Sequence, residues 1–426
     1  MAARWREVHL SELASLSGGF AFKSRDYAPV GRFIVRTLNI GDDGSISAGD
    51  SVYLPEVLCP QYARFELEPA DTIFVMVGAT LGKVGFVRKE ILPALLNQNM
   101  WLIRAKLGQA DPLFLHYAFR QAAKHKLGLA SGSAREFVRR DDYRNLQFLA
   151  PQLAEQRILG RILGALDDKI ELNRKMNETL EQMARAIFKS WFVDFEPFRD
   201  KGMLESELGP IPRGWKVVSL GDETTLTKGL SYSSEELQPS CVALVTLKSF
   251  ERGGGYRSDG LKPFTGAFKP EQVVVPGEVV VSFTDVTQAA EVIGRPAMVR
   301  STAEYDTLVA SLDVGIVRPS SKRVSAPYLY FLLGAQEFTD HILSYVNGTT
   351  VLHLDKQGIP LYRFACPSEA VAKAYADVAA PMLKRVNLNE TESRTLAAIR
   401  DALLPKLMSG EVHPQTDMAG SAEVRQ

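Results

Sequence analysis

Leu159, Leu163, Leu166, Ile170, Asn173, Asn177, Leu180, Ala184, Ile187 and Trp191 follow one another at spacings that alternate strictly between four and three. Residues at that period line one narrow stripe of an α-helix and bury it against a second helix. The stretch therefore predicts a coiled-coil seam running from about Leu153 to Phe195. Glu155, three residues after Gln152, marks a start, and Pro197 marks a stop. At 1.5 Å per residue such a helix would span about 64 Å, which is the length of a spacer.

The partner stripe is written later in the same chain. Leu172-Asn173 returns as Leu388-Asn389, Thr179-Leu180 as Thr395-Leu396, Ala186-Ile187 as Ala402-Leu403 and Pro151 as Pro367, all at an offset of 216 residues. The same offset carries the seam onto Tyr375, Ala379, Met382, Val386, Asn389, Ser393, Leu396, Arg400, Leu403 and Leu407. Arg400 is the one poor fit. Pro381 predicts a kink or a late start for this helix, and Pro405 an end or a bend. Two such helices would pair antiparallel about a two-fold axis near residues 175 and 391. Asn173 would then face Ser393, and Asn177 would face Asn389, polar pairs that set register at some cost in stability.

A globular block precedes each helix. Trp5-Arg6-Glu7-Val8-His9-Leu10 is echoed by Trp215-Lys216-Val217-Val218-Ser219-Leu220, and Ser131-Gly132-Ser133-Ala134 by Asn347-Gly348-Thr349-Thr350. Strand-like runs at Asp71–Val77 and Glu278–Phe283 follow the turn signals Pro69-Ala70 and Pro276-Gly277. Short helices are expected over Leu113 to Lys126 and Tyr328 to Val346. The fold class is thus α+β: two similar α/β domains separated by two long helices that form an antiparallel coiled coil, duplicated about a pseudo-two-fold. The expected boundaries are 1–150 and 199–366 for the domains, 151–198 and 367–412 for the helices, and 413–426 for a disordered tail. A period this long is not a solenoid repeat.

Fifty basic and fifty acidic residues cancel over the 426-residue chain, so net charge does not announce a polyanion partner. Between Trp101 and Ala150, however, nine Lys and Arg stand against four Asp and Glu. In the second block the acidic residues match or outnumber the basic ones. No stretch approaches the roughly 20 apolar residues of a membrane span. Arg4, Arg6 and Glu7 around one tryptophan offer no apolar core of a secretion signal. Cys59, Cys241 and Cys366 lie far apart, with no disulfide or zinc spacing. These features point to a reducing cytoplasm and no membrane.

Catalytic motifs are absent. Gly78-Ala79-Thr80-Leu81-Gly82-Lys83-Val84 is one residue short of a phosphate-binding loop and lacks its terminal Ser or Thr. There is no Asn/Asp-Pro-Pro-Tyr/Phe tetrapeptide, and the six histidines form no metal-ligand cluster. The expectation is no catalytic residue, no metal and no cofactor on this chain.

Several segments closely resemble the central region of specificity subunits of type I restriction-modification systems. They are Glu155-Gln156, Leu166-Asp167-Asp168-Lys169-Ile170-Glu171-Leu172-Asn173, Thr179-Leu180-Glu181-Gln182-Met183-Ala184 and Ile187-Phe188-Lys189-Ser190-Trp191-Phe192. Leu208-Gly209-Pro210-Ile211-Pro212-Arg213-Gly214-Trp215 resembles the start of that family's second target-recognition domain, and Leu403–Val412 its C-terminal signature. Gly78–Lys83 and Asn97-Gln98-Asn99 match in the first block. The resemblance covers the chain to about residue 412 and implies a non-catalytic subunit. Each of its two target-recognition domains would read one half of a split double-stranded DNA site. The helices would set the gap and dock two methylation subunits. S-adenosylmethionine, ATP and Mg would belong to those methylation subunits and to restriction subunits. Because the two blocks have diverged, the target would be asymmetric.

Two rigidly spaced readers suit a bipartite site, since matching faces of a duplex recur about every 34 Å, and the second contact becomes intramolecular after the first. Asn and Gln bond adenine bidentately, whereas Arg and Lys favour guanine or phosphate. On that chemistry the first-block candidates for DNA contact are Lys23, Thr80, Lys83, Asn97, Gln98, Asn99, Ser131, Ser133 and Arg135. Those of the second block are Lys228, Tyr232, Lys248, Arg252, Thr284, Gln288, Asn347, Thr349, Thr350 and His353. Each is also a residue that polar turns use for their own sake. A lone DNA methyltransferase or nuclease, told by adenosylmethionine binding, and a scaffold that binds protein only, told by the loss of all sequence-selective DNA binding, are the competing readings.

Overall fold

The computed structural model describes residues 5–129, 143–287 and 289–413. The chain divides into two compact units, Met1–Ile170 with Thr395–Gln426, and Glu171–Arg394. Two helices of 40 residues each, Leu153–Phe192 and Glu369–Met408, contribute to both. The first ends three residues before the expected Phe195, which turns left-handed at φ 55° and leads into a short 3-10 turn with Pro197 at its start. Pro381 and Pro405 lie inside the second helix, which neither begins at the one nor ends at the other. Both are exposed, as are Asp377 and Asp401 one turn back. The carbonyl that each proline deprives of its helical donor therefore faces solvent, where the break is tolerated.

In the unit Glu171–Arg394 the helices run antiparallel. The Asn173 side-chain amide donates to Glu392 Oε2 at 2.9 Å, Ser393 Oγ at 3.2 Å and the Asn389 carbonyl at 3.3 Å. Asn389 Nδ2 donates to Asn177 Oδ1 at 2.8 Å, while its own Oδ1 is buried with no partner among the described residues. Nearby, the Tyr375 hydroxyl donates to the Ala184 carbonyl at 3.2 Å. Replacing Asn177 and Asn389 together with leucine should raise thermal stability by about 1 kcal/mol, because an unsatisfied buried oxygen disappears with the pair. A lower melting temperature would mean that the polar pair stabilises on balance.

The buried stripe departs from the expected seam in a regular way. Leu159, Leu163, Ala184, Tyr375, Ala379 and Val386 are buried as the heptad requires, and Leu166, Ile170, Leu180 and Leu396 are half-buried. Toward the end of each helix, however, Phe188 and Phe192 are buried in place of Ile187 and Trp191, and Leu404 and Met408 in place of Leu403, with Leu407 retained. Leu383 likewise takes the core position expected of Met382. A straight helix drifts about 20° per heptad against a 3.5-residue repeat, so a long stripe moves to the next residue. Both helices drift at positions 216 apart, and at both ends the stripe packs on a globular domain.

The two domains have one strand order. In the first, an antiparallel sheet runs Ala14–Gly18, Met100–Ala105, Thr72–Val75, Val84–Phe86; in the second, Thr224–Lys228, Val314–Pro319, Val279–Ser282, Pro296–Met298. A second sheet in each contains a parallel pair, Arg32–Val35 with Ala94–Leu96 and Val242–Val245 with Thr307–Ala310. Pairing of the first strand with the last closes each domain, Arg6–His9 with Gln147–Ala150 and Lys216–Ser219 with Arg363–Cys366. Thr72-Ile73-Phe74-Val75 is buried on both faces, which is why it reads as a continuous apolar run. Helix Pro112–Leu129 covers that sheet, and the expected helix over Tyr328–Val346 is two helices, Ala326–Leu333 and Gln336–Leu343, broken at Gly334.

Motif residues of the long helices hold the domains. Gln156 accepts the Asp111 amide at 3.0 Å and donates to the Pro151 carbonyl at 3.0 Å. Gly160 lets helix Pro112–Leu129 approach, since a Cβ there would lie 2.9 Å from the Phe114 nitrogen. In the other unit Arg300 is buried between Glu181 and Glu390, at 2.7 and 3.5 Å, one from each long helix. His116 is buried against Thr72, and burial, then Arg120, Arg400 and Arg88, lower its pKa to about 3. The unfolded chain binds a proton below about pH 6.5 that the folded protein refuses, so stability falls as pH drops from there toward about 3. His116→Gln should flatten the fall of unfolding free energy across that window by up to about 1.4 kcal/mol per pH unit, as read by denaturation at a series of pH values. An equally steep fall in the variant would assign the proton to another group.

Candidate nucleic-acid interface

Polar loops of the first domain meet at one end of its four-stranded sheet. The turn Gly78–Lys83 joins Thr72–Val75 to Val84–Phe86, and Asn97-Gln98-Asn99 joins Ala94–Leu96 to Met100–Ala105. The Met76 amide donates to the Asn99 carbonyl at 2.9 Å, which sets the two turns side by side. Asn99 adopts φ 68°, a conformation that asparagine tolerates, and Asn97 Oδ1 accepts the Gln98 amide at 2.7 Å. Gln98 and Asn99 are exposed. A bridge from Phe20 to Asn97 brings a third segment alongside, with Lys23 exposed just beyond it. Thr80 is half-buried. Lys83 is already engaged, with its ammonium 2.9 Å from Asp42 and donating to the Ile40 carbonyl at 3.2 Å. Ser131, Ser133 and Arg135 lie outside the described residues, as does Gln288.

The second domain builds its face differently. Thr284-Asp285, Leu352–Leu354 and Val346-Asn347 form a small antiparallel sheet in which Thr284 pairs with His353 and His353 with Asn347. Asn347, Thr349, Thr350 and His353 are exposed along that hairpin. Thr284 is buried, and its hydroxyl has no partner among the described residues. Asp285 closes the following loop: burial pushes its carboxyl up, but amides of Val292, Thr287 and Ile293 outweigh that and hold it below the usual range. Gly253 donates to the Glu291 carbonyl at 2.8 Å, so Arg252, paired with Glu291 at 3.3 Å, borders the same loop. Tyr232 lies instead with Lys262, whose ammonium sits 5.6 Å from its ring. Lys248 is exposed on the turn Leu247–Ser249.

Two positions of the candidate face escaped the sequence reading. Leu230 bridges Ser311 as Phe20 bridges Asn97, so Ser311-Leu312-Asp313 is the second domain's version of Asn97-Gln98-Asn99. The signal was available in Ile103-Arg104 and Val317-Arg318, each arginine neutralised by acidic neighbours, Asp71 and Glu68 or Glu278. The other is Lys356. Its ammonium lies 5.0 Å from the Phe283 ring, and burial, then the adjacent Lys228 ammonium, lower its pKa. No helix among the described residues is long and apolar enough to cross a membrane.

Two domains of one topology, each closed onto a long helix and presenting a different set of polar loops, define a duplicated chain with two unlike loop faces. Comparison with known proteins agrees. Residues 3–182 match the family described as the type I restriction modification DNA specificity domain. The type I restriction enzyme MjaIX specificity subunit of Methanocaldococcus jannaschii is 26% identical over 81% of this chain and 78% of its own length. The HindI specificity subunit of Haemophilus influenzae is 20% identical over 83% of this chain and 89% of its own. The crystal structure of the type I system S subunit from M. genitalium has the same fold, with a TM-score of 0.58, 14% identity and coverage of 95% and 96% of the two chains. Along most of its length the chain is similar to specificity subunits of type I restriction-modification systems.

Proposed function

We propose that each domain reads one half of a bipartite, asymmetric site in double-stranded DNA, while the paired helices fix the gap and dock two methylation subunits. The observation that carries the reading is one strand order presenting unlike loops: Gly78–Lys83 with Asn97–Asn99 in the first domain, and the Thr284, His353 and Asn347 sheet in the second. Equal scaffolds with unequal side chains read unequal half-sites. The candidate base readers are Gln98 and Asn99 on one domain, and Asn347, Thr349, Thr350 and His353 on the other. Lys23 and Lys228 suit phosphate. Methyl transfer with S-adenosylmethionine, and ATP- and Mg-dependent cleavage, belong to partner subunits in the cytoplasm. Co-expression with the methylation subunit, followed by mapping of methylated adenines, tests this. One split motif that vanishes when the chain is omitted is expected, and methylation indifferent to omission would overturn it.

Docking of two identical partners is supported by apolar residues left in solvent on the helices. Ile162 and Val378 are 37% and 38% exposed, Leu172 and Leu388 53% and 50%, Met183 and Ile399 47% and 44%. Each pair is 216 residues apart, so the same exposed apolar positions occur on both helices. Leu172→Glu or Leu388→Glu alone should leave one methylation subunit bound per chain, and both together none, as read by native mass. Two copies retained on the double variant would place docking elsewhere.

A further inference from the structure

We propose that Lys228 and Lys356 of the second domain form a two-ammonium seat for a single phosphate of the DNA backbone, an inference that rests on the DNA-reading function above. Lys228 ends the strand Thr224–Lys228 and is paired across the sheet with Gly315. Gly315 has no side chain, and a Cβ there would lie 2.1 Å from the Phe283 ring, so the ring occupies that space. The Lys356 ammonium stands 5.0 Å from the centre of this ring, and burial together with the nearby Lys228 charge holds its pKa down. Lys228, Gly315, Phe283 and Lys356 are thus one stack, built from four separate segments.

Two ammonium groups held together repel each other, and the Asp313 carboxylate offsets part of that at Lys356. An anion bridging both lysines relieves the repulsion. The ring holds Lys356 in place by cation–π attraction, so little side-chain entropy remains to be lost on binding. The stack adjoins the sheet of Thr284, His353 and Asn347, since the Leu354 amide donates to the Phe283 carbonyl at 2.8 Å. A phosphate seated there would fix the duplex against the exposed hairpin tip. It also places positive charge in a domain whose overall balance supplies none. At the equivalent cross-strand pair the first domain has Gly18 and Trp101 where the second has Lys228 and Gly315.

The test uses the full chain co-purified with its methylation subunit, and a random-sequence duplex pool titrated at a series of KCl concentrations. The double variant K228Q/K356Q should bind about 10-fold more weakly near 0.1 M salt, with its log K against log salt slope shallower by about 1. The enriched sequence should not change, K228R/K356R should keep the wild-type slope, and the melting temperature of the glutamine variant should be equal or higher. An unchanged slope and affinity in a folded K228Q/K356Q overturns the seat while leaving DNA reading intact. A changed enriched sequence overturns it in favour of base contact. Wild-type complex without duplex binding overturns the DNA reading itself.

Discussion

Arg400→Leu should cost the folded protein about 3–5 kcal/mol, the usual penalty for removing one partner of a buried ion pair. Arg400 Nη1 donates to Asp167 Oδ1 at 2.6 Å, with only 5% of the arginine side chain and 19% of the aspartate exposed. The Tyr117 hydroxyl donates to the other Asp167 oxygen at 2.5 Å. Asp401, on the exposed side, takes Arg400 Nε at 2.9 Å. Leucine would leave the Asp167 carboxylate half-buried with a tyrosine as its remaining strong donor. Burial and that carboxylate push the Tyr117 hydroxyl well above its usual range, so it remains a neutral donor, and it has no positive charge to offer. Chemical denaturation of the full chain reads the effect. Asp167→Leu combined with Arg400→Leu should recover most of the loss, because two apolar residues replace two charges. A single variant as stable as wild type would show that the pair contributes nothing.

Exchange of the first domain should change one half of the recognised motif completely and leave the other untouched. The structure gives the cut points. Arg6–His9 pairs with Gln147–Ala150, so a block cut before Arg6 and after Ala150 keeps its closing strands together. The corresponding cut in the second domain keeps Lys216–Ser219 with Arg363–Cys366. Exchange inside either pair would break a domain. Methylated-adenine mapping with the exchanged chain is the measurement, and simultaneous change of both half-sites would end the modular reading.

Much of the candidate interface was legible as polar turns. Asn97-Gln98-Asn99 and Asn347-Gly348-Thr349-Thr350 stand between apolar strands, and each does emerge at an exposed turn. Lys83 was legible as a basic loop residue but not as the partner of Asp42, because the two are far apart in sequence. Lys356 was illegible for the same reason. Nothing around it in the chain marks it, and only Phe283 and Lys228, from distant segments, give it meaning.

The chain's periodicities alone determined the architecture: a seam of fours and threes, repeated after 216 residues, each copy preceded by a block of short apolar strands. Those features are local or self-similar, so they survive in one dimension. Arg400 shows where that ends. As a position in the seam it was a misfit, and tertiary packing resolves it by bringing Asp167 and Tyr117 to it. The move of the buried stripe from Ile187 to Phe188 and from Leu403 to Leu404 was also decided in three dimensions. It depends on how far a 3.6-residue helix drifts before a globular domain covers it. Burial and charge pairing are properties of neighbours in space, and in this protein the decisive neighbours lie far apart along the chain.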